Sequence, residues 1–504
     1  MNQRIPAAED QRVPAQQATP LPLSWPARIA TLLALALFAW AAYGALALFA
    51  RHAWAALSFP YPLDYGEGPI LDQALRLARL QNIYRADITT PPYTISNYPP
   101  VYPLAHVPFV WIFGPAFWYG RAISLLGALA AATFVGLTLH ALTRNVVAAV
   151  AGGVTLLCFP YLLHWAPFNR VDSLALGLSW AGLWAVARWP QSRRALFVAA
   201  ALLLGAIFTR QSYALAAPLA AFVWLLRHNW RRALLLAGVV AGAGVLLLGL
   251  IQLVTGGFYF NIVTANVNPF YWDEVRRRAE DEIWLYMPHL VLCAAAFALG
   301  AVWQRQRAWW LVAPYLLGAT ASAITIGKSG SNVNYLFELS AGLALAAGAV
   351  IAWPQERWGV RASLIALLAV QIAIMGRWSL SEYYHRALDK VDNRVEIARL
   401  MDAVRAADGP VLADEYMGLA PVAGKPLVIQ PFEIKQLDDA GLWDDRPFLQ
   451  QIARHEFPLI LIYHLPGYPL HADRWTGRML NYIDTHYDHV DTILDTWVYR
   501  PRAR

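Results

Sequence analysis

The chain has 504 residues, 58% of them hydrophobic and 14% charged, with 22 tryptophans and a formal net charge of +7. Soluble domains are nearer 45–50% apolar and about 25% charged, so this composition excludes an ordinary soluble protein and points to a polytopic membrane protein. The positive charge does not argue for nucleic acid, because most arginines fall in short loops between apolar runs, where membrane topology accounts for them.

Residues 1–27 are polar and rich in Pro, Ala and Gln, and read as a disordered cytoplasmic tail without a cleavable signal peptide. Eleven apolar runs follow, at about 28–50, 118–141, 146–163, 171–187, 195–209, 212–227, 232–254, 284–303, 308–326, 333–352 and 361–378. They are read as transmembrane helices, each needing roughly 17–25 residues. A twelfth stretch, "VYPLAHVPFVWIFG" (101–114), is short and carries Pro103, His106 and Pro108. The topology turns on it. If it does not span, and Arg4, Arg12 and Arg28 are cytoplasmic, then "TRN" (143–145), "RWPQSRR" (188–194), "RHNWRR" (227–232), "QRQR" (304–307) and "ERWGVR" (356–361) all face the cytoplasm. Every one of these loops is basic, as the positive-inside rule requires. If it spans, all five move outside. The stretch is therefore expected to be a re-entrant or interfacial helix on the outer side, within a first external loop of residues 51–117. Cys158 and Cys293 both lie in apolar runs, which leaves no disulfide framework and no metal knuckle.

The same parity places "FNRVDS" (168–173), "FTRQS" (208–212), the loop at about 255–283 and "GKSGSNVNY" (327–335) outside. Residues 380–504 follow the last apolar run of a transmembrane domain at 28–379, and their composition differs. An amphipathic run (about 386–407) precedes β-like runs "VLADE", "LVIQ", "LILIY" and "TILDTWVY". The expectation is a small extracytoplasmic α/β domain that acts as a lid or acceptor-recognition module. No catalytic arrangement is legible among its Asp414, Glu415, Tyr416 and Trp443.

Once the cytoplasmic arginines are assigned to topology, the outer-face charges stand out: Asp64, Glu67, Asp72, Arg121, Arg170, Asp172, Arg210 and Lys328. Singly, such groups pair at an interface or snorkel. As a set confined to one face they suggest a cleft that binds an anion beside a carboxylate base. Extracytoplasmic compartments lack nucleotide sugars, so a transferase there needs a donor activated in the lipid, such as a polyprenyl-phosphate sugar. Cations must hold the charge that develops on its phosphate, and a carboxylate must take the acceptor's proton. Arg170, Arg210 and Lys328 are the cation candidates, and Asp64, Glu67 and Asp172 the carboxylate candidates.

Weaker signals surround them. Tyr98, Asn266, Asn268 and Trp272 offer amide and aromatic groups to a sugar or acceptor, although an interfacial aromatic belt accounts for residues 260–274 as well. Asn332, Asn334 and Glu338 sit at a helix start, as caps or as site residues. His106 and His164 read as structural, and "RRRAEDE" (276–282) as a solvated helix face. No D-x-D-type metal spacing occurs, so nothing demands a divalent ion, and the cofactor is left open.

The ordered run "DYGEGPILDQALRLARLQNIY", "YPPVYPLAHVPFVWIFG", "YGRAISLLGALAAATFVG", "FNRVDSLALGLSWAGLWA" and "LLLGAIFTRQSYALAAPLAAFVWLL" resembles the membrane-embedded GT-C glycosyltransferases. It is most similar to the branch of protein O-mannosyltransferases and lipid A aminoarabinose transferases, over about residues 28–230 and more loosely to 380. The resemblance implies a catalytic acid in the first external loop and a second acid in the next, matched by Asp172 in "RVD". It also implies a basic residue after a G-x-x-x-T helix end, matched by Arg210 where many relatives have lysine. This chain departs from the family's adjacent Asp-Glu pair. Counting back from Ala74 puts Glu67 in the Glu place and Gly66 in the Asp place, with Asp64 offset by two. Either Asp64 reaches in, helped by Gly66, or Glu67 has taken over. "SNYPP" also lacks the basic residue some relatives carry before the Pro-Pro helix, which turns attention to Lys328.

The function these features imply is an inverting glycosyltransferase of the plasma (inner) membrane, amino terminus cytoplasmic and carboxyl-terminal domain outside. It would move a sugar from a polyprenyl phosphate to a glycan, lipid or protein acceptor. A transporter or flippase, a polymerase or ligase of lipid-linked oligosaccharides, and a non-catalytic scaffold are the rivals.

Overall fold

The computed structural model describes residues 25–503 apart from 305, 355 and 356. The amino-terminal tail up to residue 24, with Arg4 and Arg12, and single positions in two of the basic loops lie outside the described residues. Helix α1 (Trp25–Ser58) has 34 residues and is apolar all round, as suits a helix with lipid on its outer side, and it buries a stripe through Ala34, Phe38, Ala41, Ala45, Phe49 and His52 against the bundle. Helix α2 (Glu67–Ala78) is amphipathic, and α3 (Val101–Phe113) is the short Pro-containing stretch. With 13 residues, α3 is about 20 Å long, too short to cross the roughly 30 Å hydrocarbon core alone. It lies against α2.

The bundle continues with α4 (Trp118–Thr143), α5 (Val146–Leu157), α6 (Pro160–Trp165), α7 (Asp172–Arg188), α8 (Arg193–Ile207), α9 (Ala216–His228) and α10 (Trp230–Thr255). Local chemistry sets the breaks. Asn145 and Ser192 cap α5 and α8 by accepting hydrogen bonds from Ala148 N and Ala195 N. Pro160 starts α6 after the chain leaves α5 at Cys158. Helix α11 (Trp272–Arg278) and the turn after it meet α12 (Pro288–Trp303) at a 97° bend. Helices α13 (Trp309–Ala323), α14 (Phe337–Ala352) and α15 (Trp358–Trp378) complete the bundle, with α15 packed along α1 and α7 along α4.

Six of these elements are long and apolar enough to cross a membrane individually, seven if the bent pair counts as one span. The chain is a polytopic helical membrane protein. The other apolar runs of the sequence are shorter helices.

Beyond α15 come α16 (His385–Asp392), the amphipathic α17 (Arg394–Ala406), β1 (Val411–Ala413), α18 (Leu419–Val422), α19 (Pro431–Asp439) and α20 (Arg446–Ala453). The chain ends with β2 (Leu459–Tyr463), α21 (Leu470–Arg474), α22 (Gly477–His486), β3 (Tyr487–Ile493) and β4 (Thr496–Pro501). The strands form one sheet in the order β1-β2-β4-β3, with β1 parallel to β2 and the other pairs antiparallel.

The run "LVIQ" is not a strand of that sheet. Its backbone pairs instead with the first loop: Tyr93 N donates to Val428 O (2.7 Å) and Gln430 N to Tyr93 O (3.0 Å). Ile88, Tyr93 and Ile95 sit in one apolar core with Trp443, Phe448 and Ile460, so the first loop and the carboxyl-terminal segment fold together. Gly68 of α2 and Gly418 touch backbone to backbone, where a Cβ on Gly68 would lie 2.7 Å from Gly418 Cα. Only glycine permits that approach.

Candidate active site

Where the first loop, the ends of α6 and α8, the 266–268 and 328–335 loops and the carboxyl-terminal segment meet, they enclose a cavity of about 620 Å³. Asp64 lies on its wall. The Asp64 carboxylate accepts from Gly66 N (2.9 Å), an Asx turn that curls the side chain back over its own loop. Arg170 Nη1 lies 3.2 Å from the same oxygen. A Cβ on Gly66 would strike that guanidinium at 1.3 Å and would stand 3.2 Å from Asp64 Oδ2. The place a side chain at 66 would take is therefore held by the Asp64–Arg170 pair. Burial pushes the Asp64 carboxyl above its ordinary range, with Arg170 opposing the shift. Arg170 rests on the Trp165 ring, 5.2 Å from its centre, and its Nε–H has no partner among the described residues.

Glu67 is elsewhere. It is fully buried with Arg121, which donates from Nε to Oε1 (2.8 Å) and from Nη2 to Oε2 (2.7 Å). Asn169 N and Leu63 N donate to the remaining lone pairs, both at 2.7 Å. Arg121 spends its other donors on the carbonyls of Ala56, Phe59 and Tyr61 at the end of α1. Burial works against the charge on Glu67, but Arg121 and the two N–H groups outweigh it and hold the carboxyl below its usual range. This carboxylate joins α1, α2 and α4 and does not reach the cavity.

Asp172 and Arg210 form a second buried pair. Asp172 also accepts from Asn334 Nδ2 (3.0 Å) and Trp165 Nε1 (3.0 Å), and its carbonyl accepts from Tyr213 OH (3.1 Å). The Arg210 guanidinium lies over the Tyr335 ring, 4.4 Å from its centre. The pair stands behind the wall and grips two groups that line it, Trp165 and Asn334.

Lys328 lines the cavity and forms no ion pair among the described residues. Its loop is set by backbone pairing with the 266–271 segment: Ser329 N donates to Pro269 O (2.8 Å) and Tyr271 N to Gly327 O (2.8 Å). The carboxyl-terminal segment closes the other side. Glu415 is gripped by Lys390 and Arg474 and is held down at about 2 against the pull of burial. Tyr65 OH donates to Glu433 Oε2 (3.0 Å) and accepts from Phe432 N (3.1 Å), and Arg474 lies over the Tyr65 ring. Among the described residues no group of three or more His, Cys, Asp or Glu side chains is placed to hold a metal ion.

The chain matches no protein-family model and no curated protein. It does match solved structures. ArnT from Cupriavidus metallidurans bound to undecaprenyl phosphate superposes with a TM-score of 0.57 at 15% identity, over 91% of this chain and 97% of that one. The archaeal oligosaccharyltransferase AglB from Archaeoglobus fulgidus, in complex with an inhibitory peptide and a dolichol-phosphate, gives a TM-score of 0.52 at 11% identity, over 95% of this chain and 75% of that one. Both are GT-C proteins. This chain has the GT-C fold.

The GT-C fold sorts the residues singled out from sequence. Asp64, Arg170, Lys328, Tyr98, Asn266, Asn268, Asn332 and Asn334 line one cavity. Glu67, Asp172, Arg210 and Glu338 are buried outside that wall, and Trp272 is 68% exposed. The buried acids and bases are paired or enclosed within the fold, and Trp272 stands exposed at the start of α11. His106 is buried against Tyr102 O and Asn169 Oδ1, each at 2.8 Å, whereas His164 lines the cavity.

Sequence reasoning missed Tyr65, Trp165, Glu433 and Arg474, and it saw no site in Glu415. Tyr65 lies inside "DYGEG" and Trp165 three residues before "FNRVDS", and position in the chain is the signal they carry. Glu415, Glu433 and Arg474 carry no local signal, since only tertiary docking of the GT-C fold brings them to the first loop.

Proposed function

We propose that the chain is an integral plasma-membrane glycosyltransferase that takes a sugar from a polyprenyl-phosphate donor and passes it to an extracytoplasmic acceptor. The observation that carries the reading is the shared cavity of Asp64, Arg170 and Lys328 within a GT-C fold. ArnT and AglB, by their descriptions, bind undecaprenyl phosphate and a dolichol-phosphate, which supports a lipid-phosphate donor here. The eleven-span topology, amino terminus inside and carboxyl-terminal domain outside, belongs to the same proposal. It draws support from the cavity gathering only segments that charge parity assigned to one face.

In this reading Asp64 is the base. An acceptor O–H attacks the anomeric carbon while the bond from that carbon to the phosphate oxygen breaks. The electron pair leaves with the polyprenyl phosphate, the proton passes to Asp64, and configuration inverts. Arg170 and Lys328 stabilise the charge on the departing phosphate, arginine through paired N–H donors. The uncommitted Nε–H of Arg170 and the unpaired ammonium of Lys328 are donors in reserve for it. Asp172 and Arg210 act as positioning residues through Trp165 and Asn334. Glu67 and Arg121 hold the loop.

The test is turnover of a radiolabelled short-chain polyprenyl-phosphate sugar by the purified full chain, wild type against Asp64→Asn. Release of polyprenyl phosphate by the wild type and not by the variant supports the assignment; equal release by both refutes it. A transporter would carry its charged pairs near the middle of the bundle, whereas here the charges collect at one end.

A further inference from the structure

Four carboxylates line the cavity: Asp64, Glu415, Glu433 and Asp473. Asp473 is exposed to solvent, and of the three more enclosed ones Glu433 is unlike the others. Asp64 is paired with Arg170, and Glu415 with Lys390 and Arg474. Glu433 hydrogen-bonds only neutral partners, Tyr65 OH on Oε2 at 3.0 Å and Asn97 Nδ2 on Oε1 at 3.5 Å, while the Arg170 and Arg474 guanidiniums act on it from beyond ion-pair distance. No ion pair reaches it among the described residues. It is nonetheless fixed, because Phe432 N, one residue earlier in α19, donates to the same Tyr65 hydroxyl that donates to Glu433. Tyr65 follows Asp64 directly in the chain, so the first loop itself brings Glu433 to the site.

A carboxylate offers about four lone-pair sites, and the two donors from Tyr65 and Asn97 fill only part of those on Glu433. O–H groups of a ligand fill the rest without adding charge. A second anion beside Glu433 would be repelled. The neighbouring wall offers the amides of Asn266, Gln430 and Gln436 and the rings of Trp165 and Phe432, a mixture that suits hydroxyl-rich, partly apolar sugar faces.

Resting on the function proposed above, we propose that Glu433 binds a hydroxyl of the attacking acceptor, and that this acceptor is a neutral carbohydrate. The carboxyl-terminal segment then supplies acceptor recognition, while Arg170 and Lys328 of the helical bundle hold the donor phosphate.

The experiment uses the full chain in detergent and two kinds of probe. Undecaprenyl phosphate reports the donor side. Maltotetraose, mannotetraose and chitotetraose, each alongside glucose 6-phosphate as an anionic control, report the acceptor side through tryptophan fluorescence. The wild type is expected to bind at least one neutral tetrasaccharide in preference to the anion. Glu433→Gln should weaken that binding about tenfold, the scale of one hydrogen bond to a charged group, and leave undecaprenyl phosphate binding unchanged. Tyr65→Phe, which frees Glu433 without removing it, should weaken the tetrasaccharide by a smaller factor. Preference for the anion, no tetrasaccharide binding, or equal loss of undecaprenyl phosphate in Glu433→Gln overturns the inference. Failure of the wild type to bind undecaprenyl phosphate overturns the parent reading instead, and the tetrasaccharide result still decides the role of Glu433.

Discussion

The Asp64 carboxylate and the Arg170 guanidinium meet 3.2 Å apart over the α-carbon of Gly66. Glycine at that position is what lets them meet, since any side chain there would displace the arginine. The pair places a carboxylate with a raised affinity for protons beside a cation that still has donors to offer, so an acceptor proton and a phosphate charge can be handled within one cavity.

Replacing Asp64 with Asn keeps the Asx turn and removes the proposed base. Transfer should fall by about 10²–10⁴-fold, the usual worth of a general base, with undecaprenyl phosphate binding kept. The pH profile gives a second check. Burial raises the Asp64 carboxyl and the proposed base acts in its ionised form, so kcat/KM should rise with pH through a value above the ordinary carboxylate range of about 4. An acid limb at or below that range would show that another group is titrating.

Lys328→Ala removes the unpaired ammonium from the wall. Undecaprenyl phosphate should bind about tenfold more weakly, as loss of one charge-assisted hydrogen bond predicts. Titrations at low and high salt should show a smaller salt effect in the variant than in the wild type.

Glu67→Gln leaves Arg121 buried beside a neutral partner, and breaking a buried pair costs about 3–5 kcal/mol. Thermal unfolding should register that loss at neutral pH. The folded carboxyl is depressed, so the pair's contribution is fully present above the unfolded value of about 4.3. It disappears as pH falls through the lower folded value. The wild-type advantage over the variant should shrink in that window and nowhere above it.

Arg210→Met should destabilise more than the double variant Asp172→Asn/Arg210→Met, because the single change strands a buried carboxylate. A double-mutant cycle in thermal unfolding measures this. Trp165→Phe retains the ring under Arg170 and deletes the N–H that Asp172 holds. It should lower kcat about tenfold, with donor KM and melting temperature nearly unchanged. An unchanged kcat would remove the link from Asp172 to the site.

The bundle was legible in the sequence because a lipid solvent imposes long apolar runs and a charge bias on the loops, and both are properties of local composition. The segments of the bundle that line the cavity could be named for the same reason: a charged group at the end of an apolar helix is costly unless water, a partner or a ligand meets it. Local pattern could not show which acid faces the cavity. Asp64 and Glu67 are three residues apart and chemically alike; their difference comes from Arg121 of α4, which claims one, and Arg170 of the loop before α7, which meets the other. Nor could it show that "LVIQ" would pair with the first loop, or that Glu433 would come to rest beside Tyr65. Those outcomes depend on contacts between residues more than 300 positions apart, and such contacts are settled by packing and hydrogen-bond satisfaction across the whole fold.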